Sequence, residues 1–237
     1  MMTISLSEVS KRFNRDWIFR KFSYTFTAPN SYAITGPNGS GKSTLLQVIG
    51  GAIAMSEGEI GYLVGSREPG VGSRESGVGR KMLSSSTFPE SSIQNSASSI
   101  SPDLAFKYIS IAAPYLDVIE EMTAIEFLDF HRKFKPLLKQ FSIQQVLDVV
   151  GLQTAANKQI RYYSSGMKQR IKLAQAVFSD TPVVLLDEPT TNLDEEGIRL
   201  YHQLISEHCA NRLVIVSSND SNEYGFCKER ISILDYK

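Results

Sequence analysis

The amino-acid sequence predicts an α/β fold, in which a mixed parallel sheet is joined by an antiparallel β edge and a small helical subdomain. Two short, continuously apolar runs, residues 32–35 and 183–186, each end in a turn that leads into a helix, as buried parallel strands do. Residues 3–9 and 22–26 instead have apolar residues at alternate positions, which is typical of strands in a half-exposed antiparallel sheet. Helix-capping patterns in the middle of the chain indicate the helical subdomain.

The composition limits the class of protein and its partners. The chain has 237 residues, of which 42% are apolar, so we expect one domain with a sizeable core. Its 25 basic and 25 acidic residues cancel, and this balance favours neither nucleic acid nor an anionic membrane as a partner. Cys209 and Cys227 lack metal-ligand spacing and are interpreted as reduced thiols or core residues. No apolar run approaches the ~20 residues that span a bilayer, and there is no signal-peptide pattern, so we expect another chain to supply any membrane span.

The first candidate site is the glycine-rich turn that follows the strand at 32–35. It matches the pattern Gly, four residues, Gly-Lys-Ser/Thr, with the residues Gly36, Pro37, Asn38, Gly39, Ser40, Gly41, Lys42, Ser43 and Thr44. Glycines let the backbone curl around a polyphosphate, and the N–H groups of the turn and of the following helix bind the anion. Lys42 would place a positive charge at the β- and γ-phosphates, and the Ser43 hydroxyl would ligate Mg²⁺. The strand and helix on either side favour a P-loop NTPase core over the alternative, a glycine turn with a solvated lysine.

Upstream of this loop, Phe13 has two interpretations. Its ring stacks on a nucleotide base, or it packs within the antiparallel sheet. Periodicity alone favours packing in the sheet.

Downstream of the loop and of a strand predicted at 59–63, the composition changes sharply. A seven-residue unit occurs at 65–71 and again at 72–78 with one difference, and a serine-rich stretch follows. Such a composition cannot bury enough apolar surface to offset its ordering entropy. We therefore predict a disordered insertion over residues 64–103. The alternative is a regulatory or partner-binding loop.

A strand predicted at 106–111 precedes the helical part of the chain. Capping boxes at Thr123 and Ser142 begin two amphipathic helices, and Gly151 ends the second. The basic residues between the two helices are interpreted as a solvated helix face, and the alternative is a nucleic-acid patch. They are Arg132, Lys133, Lys135 and Lys139.

A second candidate site lies at the start of a helix predicted to run to 178. Ser164, Ser165 and Gly166 stand at its N-terminus, where backbone N–H groups and the helix dipole are able to meet an anion. The alternative is that they only cap the helix.

The third candidate site is the acidic pair that follows the strand at 183–186. Parallel sheets place their sites at the carboxyl ends of the strands, where Asp187 and Glu188 lie. In a chain with a phosphate loop, Asp187 would hold Mg²⁺ through water and Glu188 would polarise the attacking water. The alternative is an acidic strand end exposed to solvent. A helix to about residue 209 and strands at 213–216 and 231–234 complete the predicted sheet.

Taken in order, four motifs resemble the ATP-binding subunit of an ATP-binding-cassette (ABC) transporter. They are the phosphate loop, the segment 163–167 (Tyr-Ser-Ser-Gly-Met), the pair Asp187-Glu188, and the segment 192–194 (Asn-Leu-Asp). The resemblance covers nearly the whole chain apart from the insertion. The second motif usually has the wording Leu-Ser-Gly-Gly-Gln in this family. Lys168-Gln169-Arg170 follow it here, and the wording Gly-Met-Lys-Gln-Arg resembles the branch that pairs with separate export-type membrane subunits.

The resemblance implies a single ABC ATPase domain over 1–237 that binds ATP and Mg²⁺. Its catalytic core would comprise 1–63, 104–113 and 166–237, and a helical subdomain at 114–165 would contact a separate transmembrane permease subunit. The implied location is cytoplasmic, peripheral at the cytoplasmic face of the membrane. No nucleic-acid partner is expected.

The resemblance also implies a head-to-tail dimer, as a homodimer or heterodimer of nucleotide-binding subunits. Ser164 and Gly166, with Ser165 between them, would face the γ-phosphate bound at Lys42 of the partner subunit. Each site would then be completed on closure, and this step would couple nucleotide binding to motion. Phe13 would stack on the adenine.

Two departures from the family pattern affect the expected chemistry. The glutamine that usually follows the strand ending at Ile111 is replaced by Ala112 or Ala113, and the histidine after the strand at 213–216 is replaced by Asn219. Asparagine can donate a hydrogen bond to a γ-phosphate without carrying a charge. Because Lys42 and the acidic pair remain, we expect an ATPase that powers transport through a membrane subunit with slow hydrolysis. The alternatives are a soluble ABC-type ATPase that is not tied to transport and a slow nucleotide-dependent switch.

Overall fold

A computed structural model describes residues 1–65 and 97–237, and the elements below are those of this part of the chain. The strands are β1 (Met2–Phe13), β2 (Asp16–Thr27), β3 (Ser31–Thr35), β4 (Glu57–Gly65), β5 (Ala97–Ile100), β6 (Ile109–Ala112), β7 (Val183–Asp187), β8 (Leu213–Ser217) and β9 (Glu229–Ser232). The α-helices are α1 (Lys42–Ile49), α2 (Ala124–Arg132), α3 (Ile143–Val149), α4 (Ser165–Val177), α5 (Glu195–His208) and α6 (Ser221–Tyr224). Short 3₁₀ helices cover Pro102–Lys107, Gln153–Ala155, Ile160–Tyr162 and Ile233–Tyr236.

The predicted α/β class is confirmed, with the parallel and antiparallel strands in two separate sheets. The antiparallel sheet has the strand order β2-β1-β4-β5. The parallel sheet has the order β6-β7-β8-β3-β9, so the chain segments that follow β3, β7 and β8 leave the sheet side by side. All three sequence segments with candidate chemistry after a strand therefore meet at one edge.

The parallel sheet is buried on both faces, and its side chains alternate between two hydrophobic cores. Leu185 and Ile215 pack with α1 and the inner face of the antiparallel sheet. Val184, Leu186 and Val216 pack with α2, α3, α4 and α5. Because both faces are covered, all five residues of β7 are buried, which explains the continuous apolar run in the sequence.

Both predicted capping boxes are present. The Thr123 hydroxyl accepts a hydrogen bond from the backbone N–H of Glu126, whose carboxylate accepts one from the backbone N–H of Thr123. Ser142 and Gln145 make the same reciprocal pair at the start of α3. Local sequence patterns thus determine where these two helices begin.

The strand predicted at 106–111 begins later than expected. Residues Pro102–Lys107 form a 3₁₀ helix, and β6 starts only at Ile109. Proline has no backbone N–H for a ladder and favours the first turn of a helix, which keeps this segment out of the sheet. The C-terminal strand is displaced in the other direction, because its last predicted residues lie in the 3₁₀ helix Ile233–Tyr236.

The insertion predicted at 64–103 lies mostly at residues 66–96, outside the described residues. Of its described residues, Pro102 begins a 3₁₀ helix, while 64 and 65 lie in β4 and 97–100 in β5, which pairs with β4. Ile100 is buried there, and its backbone pairs with that of Tyr62. Residues 97–100 were assigned to the insertion because of their serine content. Strand pairing and the burial of Ile100 place them in the sheet instead.

None of the helices within residues 1–65 and 97–237 has the length and apolar character needed to cross a membrane.

A buried arginine joins several elements at the amino end of the parallel sheet. Arg212 is only 8% exposed. Its guanidinium donates to the carbonyl oxygens of Val177 at 2.6 Å, Ser179 at 3.0 Å and Thr181 at 2.7 Å. It also donates to the hydroxyls of Thr181 at 2.7 Å and Ser110 at 3.3 Å. Burial lowers the pKa of this guanidinium because it disfavours the charged form. The hydrogen bonds offset the cost of burying the cation.

Arg212→Met is expected to lower the free energy of unfolding by about 3 kcal/mol, because several buried acceptors lose their donors. Urea unfolding of the nucleotide-free protein would measure this change. Arg199→Met is the matched control, since the Arg199 side chain is 72% exposed, and it should change stability by less than about 0.5 kcal/mol. Equal unfolding midpoints for the two variants would contradict the structural role of Arg212.

Candidate functional site

The phosphate loop between β3 and α1 has a backbone that requires glycine at two positions. Gly36 has φ of 149° and Gly41, which caps α1, has φ of 94°. A Cβ atom added at Gly36 would lie 2.7 Å from Cγ2 of Ile233, and one added at Gly41 would lie 2.4 Å from Cγ2 of Ile18. The loop is therefore curled tightly against the surrounding apolar side chains, as an anion-binding turn at a helix N-terminus must be.

Lys42 folds back over this loop. Its side chain is 4% exposed, and Nζ donates to the carbonyl oxygens of Gly36 at 2.9 Å and Pro37 at 3.2 Å. Nearby, the hydroxyl of Ser40 is buried and has no hydrogen-bond partner in the described structure. A buried ammonium beside unpaired polar groups provides a site for an anion.

Asp187 lies at the end of β7, opposite Ser217 of β8. Both of its carboxylate oxygens are buried and lack a hydrogen-bond partner within residues 1–65 and 97–237. Burial and the nearby negative charge of Glu188 raise the pKa of Asp187. The hydroxyls of Ser217 and Ser43, which lie close to the carboxylate without hydrogen-bond geometry, and the charge of Lys42 act in the opposite direction. Two unpartnered carboxylate oxygens near the hydroxyl of Ser43 form a set of hard oxygen ligands, and this set fits Mg²⁺.

Glu188 follows directly and has an unusual backbone. Its φ is 42°, a left-handed conformation that is uncommon for a residue other than glycine. Its N–H donates to the carbonyl of Ser217 at 2.9 Å, and its own carbonyl accepts from Thr191 at 3.1 Å. Such a conformation persists only where the surrounding structure holds it, and it is frequent at functional sites.

Asn219 reaches the same edge from the end of β8. Its side-chain amide donates to Oδ1 of Asn38 in the phosphate loop at 3.1 Å. The structure therefore brings together most of the predicted site residues, which are Gly36, Pro37, Asn38, Gly39, Ser40, Gly41, Lys42, Ser43, Thr44, Asp187, Glu188 and Asn219.

The serine and glycine residues at the start of α4 lie elsewhere. Ser164 caps the helix by accepting from the N–H of Met167 at 3.2 Å. A Cβ atom at Gly166 would lie 3.1 Å from the carbonyl oxygen of Asn192. In the described residues no hydrogen bond joins Ser164, Ser165 or Gly166 to the phosphate loop. These three residues instead line a separate open groove together with Asn192.

Phe13 belongs to the antiparallel sheet through its backbone, which pairs with Asp16, but its side chain is not packed into the core. It ends β1, is 49% exposed and has Nζ of Lys11 at 4.8 Å from its ring centroid. The interpretation from periodicity was therefore wrong, because the alternation of β1 is interrupted by irregular pairing with β2. The neighbouring Trp17, which sequence reasoning did not single out, has the guanidinium carbon atoms of Arg12 and Arg20 at 5.3 and 5.0 Å from its ring centroid.

The positions that replace the family's glutamine are apolar and enclosed. Ala112 and Ala113 are 1% and 0% exposed, and Ala112 pairs with Leu186, one residue before Asp187. The chain then continues to Tyr115, which sequence reasoning missed. Tyr115 is 43% exposed as a whole residue. Partial burial and the negative charge of Asp187 raise its pKa to about 12, with a smaller opposing effect from Gln47. The sequence did contain a signal for this residue. Tyr115 follows shortly after β6, and β6 pairs with β7, the strand that ends at Asp187.

The chain is similar to proteins of one family. The family model described as ABC transporter matches residues 19–191. The ABC transporter ATP-binding protein YybJ of Bacillus subtilis is 25% identical over 222 residues, which cover 93% of this chain and 87% of that protein. The Nod factor export ATP-binding protein I of Rhizobium leguminosarum bv. viciae is 27% identical over 238 residues, covering 99% of this chain and 67% of that protein.

Solved structures share the fold. A putative ABC transporter ATP-binding protein from Pyrococcus furiosus has a TM-score of 0.71 and 16% identity, with 99% of each chain covered. A dimeric bacterial ABC transporter cassette has a TM-score of 0.70 and 21% identity, with 97% of this chain and 94% of that chain covered. The family match spans more than half of this chain and includes the whole phosphate loop. The chain therefore belongs to the ABC transporter family, as a subunit that binds and hydrolyses ATP.

Proposed function

We propose that the carboxyl edge of the parallel sheet binds ATP with Mg²⁺ and hydrolyses it. The observation that carries this assignment is the buried Asp187 carboxylate, which lacks a partner and lies near Ser43 and Lys42. An unpartnered carboxylate is costly in a folded core, and a bound cation would offset that cost. Ser43 and Asp187 would hold Mg²⁺, which when bound neutralises charge on the phosphates.

Each of the remaining residues has a role that follows from its position. The backbone N–H groups of loop 36–44 bind the phosphates, and Lys42 turns its ammonium from the loop carbonyls to the β- and γ-phosphates. Glu188 accepts a hydrogen bond from the attacking water and orients it. Asn219, already at the loop through Asn38, donates its amide to the γ-phosphate.

The base of the nucleotide stacks on Phe13. This ring is exposed at the end of β1, and β2, which pairs with β1, carries Ile18 against Gly41 of the phosphate loop. A flat aromatic face at this place suits adenine, and such stacking is worth about 1–3 kcal/mol per base.

The subunit works as a head-to-tail dimer, either of identical chains or of two related ones. The groove formed by Ser164, Ser165, Gly166 and Asn192 has no hydrogen bond to the phosphate loop in the described part of the chain. With hydroxyls, a glycine and a helix N-terminus it fits the γ-phosphate of a nucleotide bound by a second subunit. The site is then completed only when the two subunits close.

The dimer drives transport through a separate transmembrane permease, at the cytoplasmic face of the membrane. Residues 114–165 form the helical subdomain that contacts this permease, and the catalytic core comprises 1–63, 104–113 and 166–237. Phe130 in α2 and Phe134 just after it are 39% and 63% exposed, and their ring centroids are 5.1 Å apart, so they offer an apolar contact there. The Rhizobium relative is named for export, which favours export as the direction.

Mixing two inactive variants tests the head-to-tail arrangement. Lys42→Ala disables the phosphate loop, and Gly166→Asp places a negative charge in the serine-glycine groove. Each homodimer should be nearly inactive. A one-to-one mixture should recover about a quarter of wild-type ATP turnover, since half of its dimers are mixed and each of these has one intact composite site. Phosphate release after mixing, with dimerisation followed by light scattering, is the measurement.

The matched control mixes Lys42→Ala with Ser43→Ala. Both substitutions lie in the phosphate loop, so no mixed dimer has an intact site and turnover should stay at background. If dimers form but both mixtures remain inactive, composite sites between identical chains are ruled out.

A further inference from the structure

The short turn after Glu188 is held by buried side chains from two different helices. Nε2 of Gln169, on α4, donates to the carbonyl oxygen of Pro189 at 2.7 Å. Oε1 of Glu223, on α6, accepts from the backbone N–H of Thr190 at 2.7 Å and from its hydroxyl at 2.6 Å. Gln169 and Glu223 are each 3% exposed. Thr190 and Glu223 lie outside the four motifs that the sequence indicated.

Glu223 is itself firmly placed. Its carbonyl oxygen accepts from the hydroxyl of Tyr201 on α5 at 2.7 Å, and Tyr201 is fully buried. Its N–H donates to the carbonyl oxygen of Asp220 at 3.0 Å. The carboxylate that holds Thr190 is therefore fixed to α5 and to the segment just after Asn219.

The turn needs such restraint because of the backbone at Glu188. A residue other than glycine at φ of 42° relaxes unless its neighbours hold it. One hydrogen bond before the turn, from the N–H of Glu188 to Ser217 on β8, fixes its start. The pair of bonds from Thr190 to Glu223 fixes the position two residues later. Both anchors belong to β8 and the segment that follows it, so Glu188 and Asn219 are held in one rigid frame.

We propose that Glu223 is a positioning residue that sets the place of Glu188 for hydrolysis. It does not touch the nucleotide; it acts through Thr190. The proposal rests on the role assigned above to Glu188. Misplacing a reacting group by about 1 Å can cost a hundredfold in rate, whereas binding of the nucleotide at the phosphate loop should be little affected.

Both hydrogen bonds from Thr190 end on Oε1 of Glu223. Variants that keep or remove an oxygen at this position therefore test the proposal. Glu223→Gln keeps an oxygen at Oε1 and should hold Thr190, so its kcat should stay within about threefold of wild type. Glu223→Met keeps the length of the side chain without an acceptor, and its kcat should fall about tenfold to a hundredfold, with KM for ATP changed by less than about threefold. Thr190→Val, which keeps the N–H bond and loses the hydroxyl bond, should lie between them and serves if Glu223→Met folds poorly.

A merely structural role for Glu223 would give a different pattern. Thermal unfolding of the purified variants and their affinity for ATP would be measured beside kcat. Equal kcat for Glu223→Met and Glu223→Gln, or a loss shared equally by kcat and the affinity for ATP, would overturn the proposal.

A double variant separates this proposal from the proposed function. If Glu188 orients the water, adding Glu223→Met to Glu188→Gln should lower turnover no further, since the positioned group is already disabled. If Glu188→Gln keeps wild-type turnover, the assignment of Glu188 fails. If Glu188→Gln is inactive while Glu223→Met has wild-type kcat, only the positioning role fails.

Discussion

Glu188→Gln is expected to lower ATP turnover by about a hundredfold to ten-thousandfold while ATP still binds. An amide of the same size cannot take up a proton or strongly polarise water. The contacts that hold the turn at Glu188 are made by its backbone N–H and carbonyl, to Ser217 and Thr191, so the substitution leaves them in place. The loss should therefore appear in kcat and not in the affinity for the nucleotide.

Single-turnover phosphate release and light scattering test this expectation. With hydrolysis blocked, ATP should hold the Glu188→Gln subunits together as a dimer that the wild type forms only briefly. Glu207→Gln is the control, because its side chain is 52% exposed on α5 and it should leave turnover unchanged. Wild-type turnover in Glu188→Gln would mean that another group orients the water.

The features that could be predicted from the sequence are those set by local chemistry. The spacing from Gly36 to Lys42 specifies a tight turn at a helix N-terminus, and the structure has that turn with α1 beginning at Lys42. The capping box at Thr123 and the buried run that ends at Asp187 are equally local. Each is decided within a few residues of chain, so no tertiary contact is needed to recognise it.

The features that were missed depend on contacts between distant parts of the chain. Thr190 and Glu223 are separated by 33 residues. Asn38 and Asn219 were both expected at the site, but the hydrogen bond between them joins residues 181 apart and was not predicted. Periodicity gives no information about such pairs. The same limit explains Phe13, whose exposure follows from irregular pairing between β1 and β2 and not from its own neighbours in the sequence.

Asp187→Asn is expected to have opposite effects on stability and on activity. The pKa of Asp187 is raised in the folded protein, mainly by burial. Above the ordinary aspartate pKa of about 3.9, the unfolded chain releases this proton more readily than the folded chain does, so stability falls as pH rises through that range. At pH 7 the nucleotide-free protein therefore bears the cost of a buried carboxylate, which Ser217, Ser43 and Lys42 offset only in part. A neutral amide removes that charge.

The nucleotide-free Asp187→Asn variant should thus melt about 2–4 °C above wild type at pH 7, with the difference shrinking as pH falls towards 4. Asp235→Asn, at an exposed position, should show no such shift and serves as the control. Differential scanning calorimetry across this pH range would measure both. A lower melting temperature for Asp187→Asn at pH 7 would mean that the carboxylate is already satisfied within the chain.

Adding ATP and Mg²⁺ should invert this order. Ligand binding to the folded state raises its stability by mass action, and only wild type retains the anionic oxygen that we assign to Mg²⁺. Wild type should gain more than Asp187→Asn and become the more stable of the two, while Mg²⁺-dependent turnover in the variant falls at least about a hundredfold. If the melting order does not invert, Asp187 is not a ligand for the cation. The carboxylate of Asp187 is thus expected to destabilise the nucleotide-free protein and to stabilise the protein bound to ATP and Mg²⁺. This inversion of the melting order tests the site more strongly than loss of activity alone.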